Sequence, residues 1–392
     1  MRPLDGITVL SLEHAVSAPF CTRQLADLGA RVIKVERPGV GDFARSYDER
    51  VRGLASYFVW CNRSKESVTL DLKHPESQEI LERLLGIADV FVQNLAPGAV
   101  TRLGHSYEVL HHKHPKLIVC DISGYGADGP YRDKKAYDVL IQSESGLISI
   151  TGTPEEPAKA GCAIADIAAG MYGLSNILAA LIQRGKTGQG CRIDVSMFES
   201  TVEWVSYGLY YAFDGAPPPE RAGASHPYIY PYGPFPTGDG KIVMLGLQND
   251  REWAVFCEKV LERPEFATDP RFASNPRRAA ARDELKSIVA EVFSRLTAKE
   301  VVERLEKAPI ANARLNDMHD LWSHPQLKAR HRWVDVDTPI GRIPALLPPG
   351  APEAYAPRMD AIPALGQHTE SILRELGYDN ETIVRFRNEH VI

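Results

Sequence analysis

Residues 161–173 read Gly161-Cys-Ala-Ile-Ala-Asp-Ile-Ala-Ala-Gly-Met-Tyr-Gly173. Asp166 is the only charged group there, and the apolar run Ile167 to Ile182 follows with helical character. That run is rich in Ala and Gly and broken by polar residues, so it reads as a buried helix, not a membrane span. Asp166 has two readings. It is a helix cap, accepting the free N–H groups of the first turn. Or it is a carboxylate nucleophile, made reactive by loss of water and kept ionised by the helix end, with small neighbours that admit a bulky substrate.

Upstream, Ile7 to Glu13 is a short β-rich run, Pro19 to Leu28 is helix-periodic and stops at Gly29, and Arg31 to Glu36 is again a strand. This is a βαβ unit, with a parallel strand pair. The theme repeats in strands Ser67 to Leu72, Asp89 to Gln93 and Leu117 to Ser123, with a helix from Pro75 to Ile87. The first half is therefore an α/β fold with an open, mostly parallel sheet, whose ligands bind at the carboxyl ends of the strands.

Beyond Ser200 the texture changes. Ala216 to Pro219 is Pro-rich and Gly223 to Pro236 is dense in Gly, Pro and Tyr, which reads as an entry linker into a smaller α+β domain. That domain holds a strand at Lys241 to Leu245 and helices at Arg251 to Leu261, Arg282 to Leu296 and Lys299 to Ala308. Strand patterns return around Trp333 to Ile343, and helices follow at His368 to Leu376 and Asn380 to Asn388. The expected division is 1–215 for a large domain, 216–330 for the small one with its linker, and 331–392 for a segment that packs back on the first.

The 392 residues carry a formal net charge of −6, which argues against a nucleic-acid partner. The six cysteines form no C-x-x-C pair and stand at no zinc spacing, as in a reduced cytoplasmic protein, and no metal is expected. Met1 to Gly6 lacks the apolar run of a signal peptide, and no membrane partner is expected.

Two motifs mislead. Gly124-Tyr-Gly-Ala-Asp-Gly129 matches G-x-G-x-x-G after a strand, but Pro130 and charged residues follow where a dinucleotide site needs a helix. Gly185-Lys-Thr187 resembles a P-loop end, but Ala180 stands where the glycine should.

An ordered set of stretches resembles the family III CoA-transferases, which include formyl-CoA transferase. It comprises Leu10-Ser-Leu-Glu-His-Ala15 with Ala18-Pro19, Gly29 to Gly39, Gly41-Asp42, Asn62 to Lys73, Asn94-Leu-Ala-Pro-Gly98, Gly124-Tyr-Gly126, Ala136-Tyr-Asp138, the Asp166 stretch, and Gly185 to Gly190. The match extends to Leu365-Gly-Gln-His-Thr369. The resemblance implies a large domain built from both chain ends, a smaller domain, and an interlocked homodimer. It implies acyl-CoA and a small carboxylic acid as substrates, with no permanently bound cofactor. Asp166 would be the catalytic residue, forming first an acyl-aspartyl anhydride and then an aspartyl-CoA thioester.

The resemblance also carries CoA-holding positions. His14, Val16 and Ser17 match the loop near the sulfur, with Val16 replacing a glutamine. Arg37, Arg102 and Lys135 match phosphate-side basic groups, and Leu70 and Lys73 an adenine-side pair. Asn94 matches a residue on the pantetheine path, and Leu95 replaces an aromatic there. Backbone N–H groups near Asp166 and the loop around Gly223 are the expected oxyanion donors. In related racemases a histidine stands where Tyr137 is here. Tyrosine is a poor base at neutral pH, so transfer is favoured over racemisation. Tyr137 then shapes the pocket or bonds an anhydride oxygen; a packed aromatic is the plainer reading. A non-catalytic CoA-binding protein is the third alternative. The wording Tyr137 to Gly146 and Ala163 to Tyr172 is similar to enzymes acting on itaconate, mesaconate and citramalate, with succinyl-CoA as donor. Arg45, Arg52 and Arg221, with Ser225, His226 and Tyr230, are candidates for the far carboxylate.

Overall fold

The structure, a computed structural model, describes residues 1–350 and 352–392. It divides into two compact units: one of Met1–Leu147, Ala160–Tyr207 and Ala329–Ile392, the other of Ile148–Lys159 and Gly208–Lys328.

The first unit is built on strands β1 (Thr8–Leu12), β2 (Arg31–Glu36), β3 (Lys65–Thr69), β4 (Val90–Gln93), β5 (Ile118–Ser123) and β6 (Arg192–Ser196). All pairings are parallel, in the order β3-β2-β1-β4-β5-β6. The chain winds outward from β1 to β3 and then restarts on the other side of β1 with β4. The crevice between β1 and β4 is thus the switch point at which open sheets of this type bind ligands.

Helix α1 (Ser17–Asp27) follows β1, α2 (Ser77–Gly86) follows β3, and α3 (Asp138–Glu144) precedes the long helix α4 (Ile164–Thr187). One face of the sheet buries Val9, Val32, Val92 and Ile122 with Cys21 of α1 and Ala169 and Ile177 of α4. The other face packs Leu10, Ile33 and Phe91 against Ile80 and Leu84 of α2 and Leu373 and Phe386 from the C-terminal segment. That segment also covers the β3 edge, where His368 Nδ1 accepts the Ser67 N–H at 3.1 Å and the Thr369 hydroxyl accepts the Thr69 N–H at 2.9 Å.

Helix α4 is the one described helix long and apolar enough to cross a membrane by length and composition. It crosses α1 closely because of two glycines. A Cβ on Gly170 would lie 2.7 Å from the Ser17 carbonyl oxygen, and one on Gly173 would lie 3.2 Å from Cys21 Sγ. This close crossing brings the first turn of α4 to the start of α1.

The second unit holds a three-stranded antiparallel sheet of β7 (Tyr232–Pro236), β8 (Ile242–Gly246) and β9 (Ala311–Arg314). Its own core joins Phe235, Val243 and Leu245 to Trp253, Phe293 and Leu305.

Candidate active site

Asp166 stands in the first turn of α4 but does not cap it. The N-cap position is Ala163, whose own side chain makes no cap bond. Asp138, the first residue of α3, fills the role from outside. Its Oδ1 accepts the Ala165 N–H at 2.9 Å, and its Oδ2 accepts Gln142 Nε2 at 2.7 Å. The capping reading of Asp166 is thus overturned, because a carboxylate 28 positions earlier in the chain has taken the N–H group.

Asp166 faces the other helix end. Ser17 opens α1 and lies near enough to the Asp166 carboxylate to favour its charged form. The carboxyl is crowded on most sides yet keeps an accessible face. Burial, followed by the charge of Asp138, pushes its pKa up to about 7, against the smaller opposing influence of Ser17. Sequence reasoning expects the helix end to help keep this group ionised; burial acts in the opposite direction and is the largest influence on it.

The loop from His14 to Ser17 is clamped from both sides of the switch point. Asn94, just past β4, accepts the His14 N–H on Oδ1 at 2.9 Å. Its Nδ2 donates to the His14 carbonyl at 2.9 Å and to Ser17 Oγ at 3.2 Å. From the β2 side, Asp42 Oδ1 accepts the N–H groups of Ala15 and Ala44, each at 2.9 Å. Ala15 is held at φ 62°, a left-handed conformation that non-glycine residues adopt at a cost.

A buried charge cluster lies under that loop. Lys34 Nζ meets Asp42 Oδ2 at 2.7 Å and Glu13 Oε1 at 3.3 Å, and Lys65 Nζ meets the same Glu13 oxygen at 2.7 Å. Glu13 loses hydration but faces two ammonium groups, which hold its pKa down at about 2. Lys65 is desolvated, faces one carboxylate and feels Lys34, so its pKa falls to about 8. Sequence reasoning assigned no role to Glu13, Lys34, Asp42, Lys65 or Asp138. A lysine inside the apolar strand Arg31-Val-Ile-Lys-Val-Glu36 was the available signal.

The remaining predicted positions follow the carboxyl ends of the strands, on loops except for Arg102, which ends the short helix Ala99–Arg102. His14 is partly buried and stacks on Phe43 at 4.8 Å, and burial lowers its pKa. Val16 is buried at the N-cap of α1. Arg37 is exposed after β2, and Lys73 and Lys135 are exposed as well. Arg102 is exposed, with Nη1 3.3 Å from the Pro97 carbonyl. Leu95 is half-buried beside Asn94. Leu70 is 1% exposed, its side chain in the core beside Val68, so its main chain alone is open to a ligand. Tyr137 is 71% exposed, which removes the packed-aromatic reading within this chain.

Of the carboxylate-binding candidates, Arg45 is locked on Glu36 by two 2.7 Å bonds and lies over the Phe58 ring. In the second unit, Arg221 donates to the carbonyls of Ser149, Thr153 and Pro154, and Tyr230 is buried. His226 stacks on Tyr232, and the Ser225 N–H is bonded to Ala222. The Gly223 N–H is spent on the Gly152 carbonyl at 2.7 Å, so it is not an available oxyanion donor. Arg52 is exposed at the tip of the Val51–Leu54 turn and has no hydrogen-bond partner among the described residues. A cavity of about 1040 Å³ opens at the opposite, amino-terminal edge of the sheet between Ile7, Asp89, Lys116 and Ile182, and none of these groups reaches it.

Comparison with known proteins agrees with this geometry. The family model described as CoA-transferase family III matches residues 4–369. Succinyl-CoA:glutarate CoA-transferase of Homo sapiens is 36% identical over 392 residues, covering 98% of this chain and 88% of that one. Succinyl-CoA--D-citramalate CoA-transferase of Chloroflexus aurantiacus is 32% identical, covering 100% of this chain and 98% of that one. The crystal structure of a CAIB/BAIF family protein from Brucella suis matches with TM-score 0.85 at 34% identity, covering 96% of this chain and 99% of the other. The chain belongs to CoA-transferase family III and is an enzyme that transfers CoA.

Proposed function

We propose that the chain moves CoA from succinyl-CoA to a five-carbon dicarboxylate, with Asp166 as the covalent relay. The observation that carries this reading is the Asp166 carboxylate: desolvated yet accessible, at a helix N-terminus, beside the ligand-binding switch point of the sheet. An Asp166 oxygen attacks the thioester carbon, the C–S bond breaks, and CoA leaves as the thiolate. The thiolate attacks Cγ of Asp166, the anhydride C–O bond breaks, and succinate leaves, so that an aspartyl-CoA thioester remains. The acceptor carboxylate then runs the same two steps in reverse. One carboxylate thus splits a difficult exchange into easier ones.

The relatives named for glutarate and D-citramalate support a five-carbon diacid, and itaconate and mesaconate are the branched members of that class that the sequence wording favours. The exposed basic groups Arg37, Lys73, Arg102 and Lys135 suit a ligand with several phosphates. Arg52 is the guanidinium left for the far carboxylate of the acceptor. In this reading the enzyme works as a homodimer, which light scattering in solution tests.

Hydroxylamine trapping with succinyl-CoA present should modify Asp166, and Asp166→Asn should bind CoA without turnover. A panel of dicarboxylates read by mass spectrometry identifies the acceptor. Arg52→Ala should raise the acceptor KM; an unchanged KM removes that residue. The pKa near 7 at Asp166 also suits proton transfer, the work of a racemase. Deuterium wash-in at the α-carbon of an acyl-CoA, with no acceptor acid present, would favour that second reading.

A further inference from the structure

Asp42 is fully buried in the loop that follows β2. Its main-chain N–H donates to Glu36 Oε2 at 3.0 Å, which fixes its backbone. Lys34, also fully buried, donates from Nζ to Asp42 Oδ2 at 2.7 Å. The other oxygen, Oδ1, is left to the main chain and accepts the N–H groups of Ala15 and Ala44, each at 2.9 Å. A buried ion pair is a weak source of stability, because both charges lose hydration. What it supplies here is a charge-assisted acceptor for the neighbouring loop. Ala15 has use for one. At φ 62° it stands in the left-handed region, which an alanine, unlike a glycine, enters at a cost. The bond from its N–H to Asp42 offsets that cost. The helix crossing carries the consequence to Asp166. Gly170 of α4 meets Ser17 of α1 and Gly173 meets Cys21, so the two helices run side by side in the same direction. Asp166 lies one turn before Gly170 on the same face, and so comes level with the residues just before Ser17, where the turn at Ala15 stands.

We propose that Asp42, backed by Lys34, is a positioning residue for CoA transfer: it holds Ala15 in the left-handed turn that sets the loop of residues 14–17 against Asp166. Asp42 itself touches no substrate and acts through Ala15. This role rests on the Asp166 relay proposed above. Without the carboxylate, Ala15 relaxes towards the right-handed or extended backbone that an alanine prefers. Helix α1 stays where its contact with Gly170 holds it, so the residues before it, level with Asp166, take up the change. A displacement beside the reacting atoms lowers the rate of bond formation far more than it lowers binding. Asp42 should therefore matter for the steps at Asp166 and little for the capture of acyl-CoA.

The test is rapid-quench intact-mass spectrometry of the full-length enzyme over a range of succinyl-CoA concentrations, following the CoA adduct on Asp166. Rates are taken per folded molecule, well below the melting temperature of each variant, so that lost stability alone leaves them unchanged. An asparagine has one acceptor end, so Asp42→Asn sets its NH2 against either Lys34 or the Ala15 and Ala44 N–H groups. The saturating rate of adduct formation should fall about 10–100-fold. The half-saturating succinyl-CoA concentration should hold. Ala15→Gly removes the cost of the left-handed turn, so in the Asp42→Asn background it should recover about fivefold or more of the loss. In the wild-type background, where the turn is already formed, the same change should gain less. Ala15→Val opposes the turn from the loop side without touching a buried charge, and should slow the same step even if Asp42→Asn does not fold. Wild-type rates in Asp42→Asn or in Ala15→Val, an effect on the half-saturating concentration alone, or no recovery from Ala15→Gly would overturn the proposal. Wild-type enzyme with no adduct at Asp166 overturns the relay, and this role with it.

Discussion

The most exposed consequence of the site is that its central residue should destabilise the protein. A carboxyl at about 7 instead of its ordinary 3.8 is costly to ionise in the folded state. Three units correspond to about 4 kcal/mol as an upper bound, and the accessible face of Asp166 reduces this to about 1–3 kcal/mol. The sign follows from proton counts. Between pH 4 and 7 the folded chain holds the proton more tightly than the unfolded chain, so stability falls as pH rises through that window and stays lower above it. Asp166→Asn keeps the shape and removes the titration, and also the repulsion with Asp138. It should therefore be about 1–3 kcal/mol more stable than wild type at pH 8, with the gap closing towards pH 4. Urea unfolding of both proteins at several pH values measures this directly. A variant less stable than wild type at pH 8, or a gap independent of pH, would refute the account of Asp166 as a desolvated carboxylate.

Asp138→Asn removes the like charge beside Asp166, so the acidic limb of kcat/KM, expected near pH 7 in wild type, should move to lower pH. The same change sets a new N–H2 against Gln142 Nε2, whose Oε1 is already engaged with the Ala160 N–H, and should cost about 1 kcal/mol by denaturant unfolding. An unmoved limb would show that Asp138 caps the helix without tuning its neighbour. Glu13→Gln strips two buried ammonium groups of their shared anion and should cost about 3–5 kcal/mol at pH 6. Lys65 already sits near 8, so at pH 9 it is mostly neutral and needs the anion less; the loss should shrink there. An equal loss at both pH values would mean that Lys65 does not titrate in this range.

The parts of the fold that the sequence displayed are those in which burial is two-sided. β4 and β5 are apolar runs because helices or the C-terminal segment cover both faces of the sheet. β6 escaped because Arg192-Ile-Asp-Val-Ser196 is an edge strand whose polar residues are exposed or paired, as Arg192 is with Asp121. The return segment was visible as strand patterns, but its contacts with β3 join residues some 300 positions apart and no local pattern encodes them. At the site, Asp166 and the loop before α1 stood out as motifs. Their electrostatics did not, because the pKa of Asp166 depends on crowding and on Asp138, and the loop depends on Lys34 meeting Asp42.

Two carboxylates and two helix starts meet at this site, and the pairing between them decides the chemistry. Asp138 takes the N–H of α4, the helix that carries Asp166. Asp166 is thereby released from capping its own helix and turned towards Ser17 at the start of α1. Had Asp166 capped α4, several fixed donors would have held it fully ionised and weakly nucleophilic, in the way hydrogen bonds depress carboxyl pKa values. The offset arrangement leaves it in a crowded setting that opposes charge. Such a group gains more from being acylated, which removes its charge, than from staying free. The features that make Asp166 expensive to keep in the folded chain are therefore those that favour a covalent intermediate on it.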